Sequence, residues 1–271
     1  MLSPRDDLPF GPEPPIPAIP PDEFGPLVEG LRAAASDAPL AYLPNPGNWG
    51  AAFTAAATRR FLVRHGIPFR ELARLGPLEL ARGVVRRETL LLGGGGAWSE
   101  RFPGGRGLAA RAARFFRRVV VLPSSFGAPV ELVGTGLWAR DRFSSLRNAP
   151  GARFCHDLGF SVGRLAAPAP VTGVGEFFRV DPLGVARRSK TGPDLSARGD
   201  HRSPVRPFVE EIARYGEIRT DRVHVAIVAC LLGRRCRVFP TASPMLADLF
   251  ASSIAPYFPE ATLAGPDDPN S

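Results

Sequence analysis

A helix start that combines an acid, a permanent cation and a titratable ring is the most informative feature of this sequence. The apolar run at residues 225–232 directly follows Asp221, Arg222 and His224. Thr220 or Asp221 can cap a helix here, and the positive end of a helix favours a bound anion. Arg222 adds a full positive charge, and His224 can transfer a proton near neutral pH. The spacing predicts a site that binds and protonates an anionic substrate, with a capped helix and a packed histidine as the alternative.

Four consecutive glycines follow an apolar, strand-like segment in the stretch ETLLLGGGG, residues 88–96. Glycines allow backbone N–H groups to approach a phosphate or a sugar closely, which makes Gly94, Gly95 and Gly96 candidate binding residues. The run has neither the GxGxxG spacing nor the lysine of a nucleotide-binding P-loop. A permissive turn explains the glycines equally well.

Two further polar loops each have a functional and a structural interpretation. In the stretch NPGNWG, Gly47 and Asn48 lie in a turn-rich strand-to-helix loop, and Asn48 can position a ligand hydroxyl. Tight-turn chemistry explains Asn and Gly at these positions equally well. In the stretch FCHDLGF, His156 and Asp157 are either a base with its orienting acid or a buried, satisfied polar pair.

Arginine dominates the charge of the chain. The net charge is +8, the pI is about 10.5, and Lys190 is the only lysine among 34 Lys and Arg residues. With 29 Gly and 30 Pro, this composition is typical of GC-rich coding rather than of a selected basic surface. The sequence therefore favours partners with small anionic groups over nucleic acid. The default interpretation of Arg140, Asp141 and Arg142 in WARDRFS is a solvated ion-pair cluster.

Cysteine use and hydropathy narrow the class of protein further. Cys155, Cys230 and Cys236 lack metal-type spacing, and Cys230 is expected to be a small buried hydrophobe. The N-terminus does not resemble a signal peptide, and the apolar run at residues 225–232 is far shorter than the roughly 20 residues that span a bilayer. These features predict a soluble cytoplasmic protein with no membrane span and no bound metal.

Short apolar segments alternate with helical stretches along most of the chain, which predicts parallel sheets in an α/β fold. Residues 1–25 contain eight prolines and are expected to form a partly disordered tail. A Pro/Ala/Gly-rich joint at residues 163–175 predicts two units, 26–165 and 166–271. Ligands of open α/β sheets bind beyond the carboxyl ends of the strands, where the polar loops are expected to converge.

The expected helices and strands follow from this alternation. Helices are expected at residues 27–35, 51–65, 204–216 and 244–257. Strands are expected at residues 40–44 and 176–181. A strand that runs into a glycine loop is expected at 88–96, and strands that run into polar loops are expected at 118–126 and 130–144. Residues 217–239 are expected to form a strand, a helix and a second strand.

Taken in order, these stretches resemble the polysaccharide pyruvyl transferase family. The resemblance covers roughly residues 38–255 and is carried by LPNPGNWG, LLLGGGGAW, VVVLPSSF, WARDRFS, FCHDLGF, FRVD and IRTDRVHVAIVACLLGRRCRVFP. Its most specific part is Asp-Arg-x-His at a strand end, residues 221–224.

The resemblance implies two Rossmann-like halves, similar to glycosyltransferases of the B type. It implies transfer of the enolpyruvyl group of phosphoenolpyruvate onto two hydroxyls of a sugar, with release of phosphate and without a metal or nucleotide cofactor. Arg222 would bind the donor, His224 would protonate its methylene carbon, and Asp221 would hold Arg222 or its loop in place. The partners would be phosphoenolpyruvate and a glycan acceptor, with peripheral association with membrane-bound glycan machinery.

Further site residues are implied on both sides of the reaction. The donor side would include Arg140, Arg179, Thr220, Gly94, Gly95 and Gly96, and the acceptor side Gly47, Asn48, Ser125, His156 and Asp157. Two alternatives remain open. A catalytically silent relative that binds glycan or a partner enzyme would explain Ala51 and Met245, where the family usually has Asp and Lys. A nucleotide-sugar glycosyltransferase of the same general fold is the other alternative.

Overall fold

The computed structural model describes residues 16–98, 104–132, 134–166, 171–181 and 194–265. Of the expected proline-rich tail, residues 1–15 lie outside the described part. The end of that tail differs from the prediction, because Pro21–Phe24 form a 3₁₀ turn and Phe24 is buried. Proline suits the first position of a helical turn, since its φ angle is already fixed near the helical value.

The chain divides into two compact units. The seven-strand unit comprises Pro20–Asn45 and Thr58–Leu158. The four-strand unit comprises Pro46–Ala57, Gly159–Ser271 and the described residues before Pro20. The division falls inside helix α2, Trp49–Arg64. The sequence predicted a single boundary near residue 165 and did not anticipate that residues 46–57 group with the C-terminal part of the chain.

The seven-strand unit is built on one parallel sheet. Its strands are β1 (Leu40–Leu43), β2 (Arg70–Glu71), β3 (Thr89–Leu92), β4 (Gly95–Trp98), β5 (Arg118–Phe126), β6 (Thr135–Ala139) and β7 (Arg153–Phe154). The order across the sheet is β2-β1-β3-β5-β6-β7, with β4 paired to β5. The helices are α1 (Gly25–Asp37), the second part of α2, α3 (Pro77–Arg86), α4 (Gly104–Ala112) and α5 (Ser144–Asn148).

Apolar residues of the central strands form the core of this unit. Leu90 and Val121 lie in one buried cluster with Leu80 of α3 and Ala109 of α4. Every residue of β1 and β3 is buried. Strands covered on both faces read as continuous apolar runs, which explains why LAYL and TLLL were recognised from sequence.

Two segments expected as loops are strands. The end of the glycine run enters β4, and β5 continues through Ser125 to Phe126. A Cβ atom on Gly94 would lie 2.3 Å from the carbonyl oxygen of Pro123, so glycine permits the close approach of these two backbones. Pro123 lacks an N–H donor, and the pairing of β5 with β6 shifts register between Val121 and Ser124.

The four-strand unit contains a second parallel sheet, with the strands in sequence order. They are β8 (Val171–Phe177), β9 (Tyr215–Thr220), β10 (Arg235–Val238) and β11 (Ala261–Leu263). Helices α6 (Arg206–Ala213), α7 (Val223–Leu231) and α8 (Met245–Leu249) connect them, and α8 continues as a π-helix, Phe250–Ile254. The predicted strand, helix and strand at residues 217–239 are thereby confirmed, as is the helical segment near the C-terminus.

The strand predicted at residues 176–181 is displaced toward the N-terminus. Strand β8 begins inside the expected joint, at Val171, and ends at Phe177. Arg179 and Asp181 therefore lie in the loop after the strand. Two glycines in VTGVGEF weakened the strand pattern, because glycine is unfavourable in strands, and parallel pairing with β9 overrides that local preference.

Helix α7 is apolar on all sides because it is enclosed by protein. All seven residues from Val225 to Leu231 are buried.

The three cysteines, Cys155, Cys230 and Cys236, are buried free thiols, as expected for Cys230. Burial raises the pKa of Cys155, which disfavours a nucleophilic thiolate. Across the described residues, the helices are too short or too polar to cross a membrane.

Candidate functional site

The candidate site of the four-strand unit lies at the carboxyl ends of β8 and β9. Phe177 and Thr220 are partners in the register of these parallel strands. The Thr220 hydroxyl donates to the Phe177 carbonyl at 2.6 Å and accepts from the Arg222 backbone N–H at 2.9 Å. Because Arg179 and Arg222 each lie two residues beyond these partners, parallel pairing brings the loops that carry them together.

Asp221 connects the same two loops. Its Oδ1 accepts a hydrogen bond of 2.8 Å from the backbone N–H of Arg179. The carboxyl is almost fully enclosed, with 1% of the residue exposed. Asp221 thus lies where it can fix the path of the chain beyond β8.

Arg222 precedes the first turn of α7 and is held by carboxylates. Its Nε donates to Asp194 Oδ1 at 3.0 Å, and its Nη2 forms an ion pair with Asp194 Oδ2. The same Nη2 lies 3.5 Å from Asp181 Oδ2. Sequence reasoning assigned no role to either carboxylate: Asp194 belongs to no recognised motif, and Asp181 ends the FRVD stretch without being singled out. Asp194 is 28 residues away from Arg222 in sequence, so no local pattern links them.

His224 lies in the first turn of α7 and packs against the start of α2. A Cβ atom on Gly50 would lie 2.4 Å from His224 Nδ1 and 2.8 Å from its Cβ and Cγ atoms. Only glycine fits at position 50 without displacing the ring. His224 is half-buried as a residue, and its Nε2 atom is enclosed by protein. Two helix N-termini therefore meet at His224, and each contributes positive potential and N–H groups.

The GNWG loop that starts α2 is covered by the segment at residues 199–204. Asn48 Oδ1 accepts from the Gly50 backbone N–H at 3.0 Å, as a capping side chain does. The Gly47 carbonyl accepts from the backbone N–H of His201 at 2.9 Å, and Trp49 Nε1 donates to the Pro204 carbonyl at 2.7 Å. This geometry gives Asn48 a structural role at the start of α2. His201, a titratable residue beside this loop, was not recognised from the sequence.

A second group of predicted residues lies in the seven-strand unit. Arg140 Nη1 donates to Asp157 Oδ2 at 2.7 Å, and Arg140 Nε donates to Ser125 Oγ at 2.7 Å. Arg140 is 2% exposed and Asp157 is fully buried. The solvated ion-pair cluster expected here is wrong for Arg140 and the neighbouring Asp141, which are both buried, whereas Arg142 is exposed as expected. Asp141 instead accepts a hydrogen bond of 2.9 Å from the Ser145 backbone N–H.

The glycine run lies close to this buried pair. A Cβ atom on Gly96 would be 3.6 Å from Arg140 Nη2, an ordinary contact distance. Gly95 has a φ of +133°, which side-chain-bearing residues rarely adopt. The carbonyl of Gly94 accepts from Asn45 Nδ2 at 3.3 Å. These contacts give the run a structural reason for its glycines in addition to the predicted ligand role.

His156 is a buried histidine of the seven-strand unit. Its Nε2 lies 3.5 Å from Glu23 Oε2, and its ring packs on Phe154 with centroids 4.9 Å apart. The described contacts thus join His156 to Glu23, and Asp157 to Arg140. Burial lowers the pKa of His156 to about 4, although the Glu23 carboxylate acts in the opposite direction.

Acidification is expected to destabilise the protein through His156. His156 has its ordinary pKa of 6.5 in the unfolded chain and a pKa of about 4 in the folded chain. The unfolded state therefore binds more protons between these two pH values. This contribution to stability is complete above pH 6.5 and falls by up to about 3 kcal/mol as the pH approaches 4. Urea denaturation of wild type and His156→Gln at several pH values measures it. A difference between the two that does not vary with pH would contradict the prediction.

The described residues contain no cluster of three or more His, Cys, Asp or Glu side chains with metal-binding geometry.

The predicted site residues form two groups, one in each unit. The group in the four-strand unit consists of Gly47, Asn48, Arg179, Thr220, Asp221, Arg222 and His224. The group in the seven-strand unit consists of Gly94, Gly95, Gly96, Ser125, Arg140, His156 and Asp157.

Parallel sheets with connecting helices, and polar residues beyond the strand ends, define an α/β protein with a Rossmann-like fold. The crystal structure of an uncharacterized protein from Klebsiella pneumoniae is similar, with a TM-score of 0.76, 20% sequence identity, and coverage of 90% of this chain and 99% of that one. At this identity the similarity concerns the fold alone. No protein-family model matches the chain, and no curated protein matches it.

Proposed function

We propose that this protein is a pyruvyl (ketal) transferase that acts on a sugar of a polysaccharide or its precursor. The observation that carries the proposal is the grouping of Arg179, Arg222 and His224 at adjoining strand ends of one unit, with His224 in the first turn of α7 against the start of α2. The sequence resemblance, which implied roles for these three residues, also supports it. A B-type glycosyltransferase arrangement and a cytoplasmic location, beside membrane-bound glycan machinery, belong to the same proposal.

The chemistry of phosphoenolpyruvate matches this set of residues. The donor carries a carboxylate and a phosphate, which suit two guanidinium groups and the N–H groups at a helix start. In the proposed step His224 gives a proton to the methylene carbon, and an acceptor hydroxyl adds to the adjacent carbon with loss of its own proton. Phosphate then leaves, and the second hydroxyl closes the ketal while its proton passes to the released phosphate, so one donor and one diol give one ketal and one hydrogen phosphate.

The acceptor hydroxyls are proposed to approach from the GNWG loop. Gly47 is exposed and Asn48 is partly exposed, so both are accessible. His201 adjoins them through its backbone bond to Gly47 and becomes an additional candidate. The burial of Arg140 and Asp157 favours a structural role for that pair over direct contact with substrate.

A second candidate is a catalytically silent relative that binds glycan or a partner enzyme. The specific observation in its favour is the pairing of Arg222 with two carboxylates, Asp194 and Asp181, which already balance its charge. A cation that served only to hold two loops together would have such partners.

Phosphoenolpyruvate is expected to raise the melting temperature of the protein. A ligand at 100 times its Kd stabilises the folded state by about 2.7 kcal/mol, which corresponds to roughly 5 to 10 °C for a chain of this size. Arg179→Gln should lose most of the shift, because it removes a cation without leaving a buried acid unpaired. Differential scanning fluorimetry, with each variant compared to its own unliganded form, makes the measurement.

Arg219→Gln is the matched control, since Arg219 lies in β9 of the same unit and pairs with Glu217 and Glu176. It should keep the full shift. Absence of a shift in wild type would favour the silent relative. A shift with sugar nucleotides in place of phosphoenolpyruvate would favour a glycosyltransferase.

A further inference from the structure

Asp181 lies between the two guanidinium groups of the candidate site. Arg179 donates to it from Nε at 3.0 Å and from Nη2 at 2.9 Å. On its other side, Arg222 Nη2 is 3.5 Å from Asp181 Oδ2. A single carboxylate therefore accepts hydrogen bonds from both members of the arginine pair, Arg179 and Arg222, in the way a bound anion would.

Asp194 contacts Arg222 in a very different manner. It is 3% exposed, and its oxygens accept from the backbone N–H groups of Ser196 at 3.1 Å and Val180 at 3.4 Å as well as from Arg222. The Asp181 side chain is 39% exposed. Asp194 is thus fixed within the fold, whereas Asp181 contacts the same guanidinium from the solvent side.

The arginine pair also retains hydrogen-bonding capacity. Within the described part of the chain, the Nη1 groups of Arg179 and Arg222 donate to no protein acceptor. Both side chains keep a small exposed fraction, 18% for Arg179 and 10% for Arg222. An anion that reached the pair would meet donors of both guanidinium groups that are unpaired within the described residues.

We propose that Asp181 is an internal ligand of the arginine pair, which a small anion bearing a carboxylate or phosphate displaces on binding. The inference rests on the proposed function in one respect, which is the choice of phosphoenolpyruvate as one of the displacing anions. The physical reason is a difference in charge and solvation. The Asp181 side chain is 39% exposed, so water solvates its carboxylate once it leaves the arginine pair, whereas a multiply charged ligand gains two-point contacts with both guanidinium groups. Asp194 stays in place and keeps Arg222 oriented while Asp181 moves away.

Removal of the Asp181 charge is expected to tighten anion binding. Asp181→Asn should lower the Kd of inorganic phosphate, and of phosphoenolpyruvate, by about tenfold, as measured by isothermal titration calorimetry at fixed ionic strength. Asp181→Glu keeps the charge and should bind with nearly wild-type affinity. Glu217→Gln is the matched control, because Glu217 also pairs with an arginine two residues away, Arg219, at 3.0 Å in the same unit.

The outcomes separate this inference from the proposed function. Equal phosphate affinities in wild type, Asp181→Asn and Glu217→Gln would overturn the inference, as would the absence of anion binding in all of them. Tighter phosphate binding by Asp181→Asn without any turnover of phosphoenolpyruvate would support the inference and count against the transferase. Turnover of phosphoenolpyruvate together with an unchanged phosphate Kd in Asp181→Asn would support the transferase and count against the inference.

Discussion

Replacement of His224 by alanine is expected to lower phosphate release from phosphoenolpyruvate by at least about 100-fold. A positioned general acid contributes roughly 10² to 10⁴ to a rate, and protonation of the methylene carbon is the step that makes the donor electrophilic. Donor binding should survive, because the arginine pair is untouched. The measurement is phosphate release with a panel of sugar and lipid-linked acceptors, together with the melting-temperature shift caused by phosphoenolpyruvate.

Gly50→Ala tests the same role without removal of the imidazole. The new Cβ atom would lie 2.4 Å from His224 Nδ1, so the ring must move while the chemistry of position 224 is unchanged. Turnover should fall, although alanine favours a helix start no less than glycine does. Gly25→Ala is the control, since Gly25 begins helix α1 and a Cβ atom there would meet nothing within 4 Å.

Unchanged turnover in His224→Ala would remove His224 from the mechanism. A large loss in His224→Ala accompanied by full activity in Gly50→Ala would show that the ring does not need its contact with α2. A matching loss of melting temperature in either variant would indicate a defect of folding instead, and circular dichroism distinguishes that result.

Asp157→Ala is expected to be the most destabilising single change, at about 3 to 5 kcal/mol. It leaves the Arg140 guanidinium buried without its carboxylate, and the side chains of this pair are 3% and 0% exposed. Replacement of both partners with apolar residues, Arg140→Met with Asp157→Leu, should recover much of the loss, because no uncompensated charge then remains. Urea denaturation gives the free energies of unfolding.

The control for this prediction is an exposed ion pair of the same unit. Arg117 Nη2 lies 2.6 Å from Asp37 Oδ1, and the two side chains are 38% and 45% exposed. Asp37→Ala should cost no more than about 1 kcal/mol, since water solvates both charges. Similar costs for Asp157→Ala and Asp37→Ala would mean that the buried charge of Arg140 finds another partner.

Sequence reasoning worked best where one short segment contains all the information needed to assign its secondary structure. The continuous apolar runs of β1 and β3 indicated buried strands, and the run that becomes α7 was long enough to predict a helix between two strands. It failed where pairing overrides local preference. Residues 123–126 read as a polar loop, yet they extend β5, because the neighbouring strands supply hydrogen-bonding partners.

The candidate site shows the same division. Arg222 and His224 were recognisable because an acid, a cation and a histidine beside an apolar run form a local pattern. Asp194 and Asp181 were not assigned to the site, although Asp181 ends the FRVD stretch, because the sequence does not reveal which cation an aspartate meets. The burial of Arg140 was also missed, since the residues around it in WARDRFS read as solvated.

The sequence by itself determined the α/β class, the parallel sheets and the helix start that carries Arg222 and His224, because these depend on composition and periodicity over short stretches. The tertiary structure alone decided that residues 46–57 group with the C-terminal part of the chain and that Gly50 packs on His224. It also decided that Arg222 lies between Asp194 and Asp181. Such contacts depend on how distant segments approach one another as the chain packs, and local residue patterns do not encode that approach.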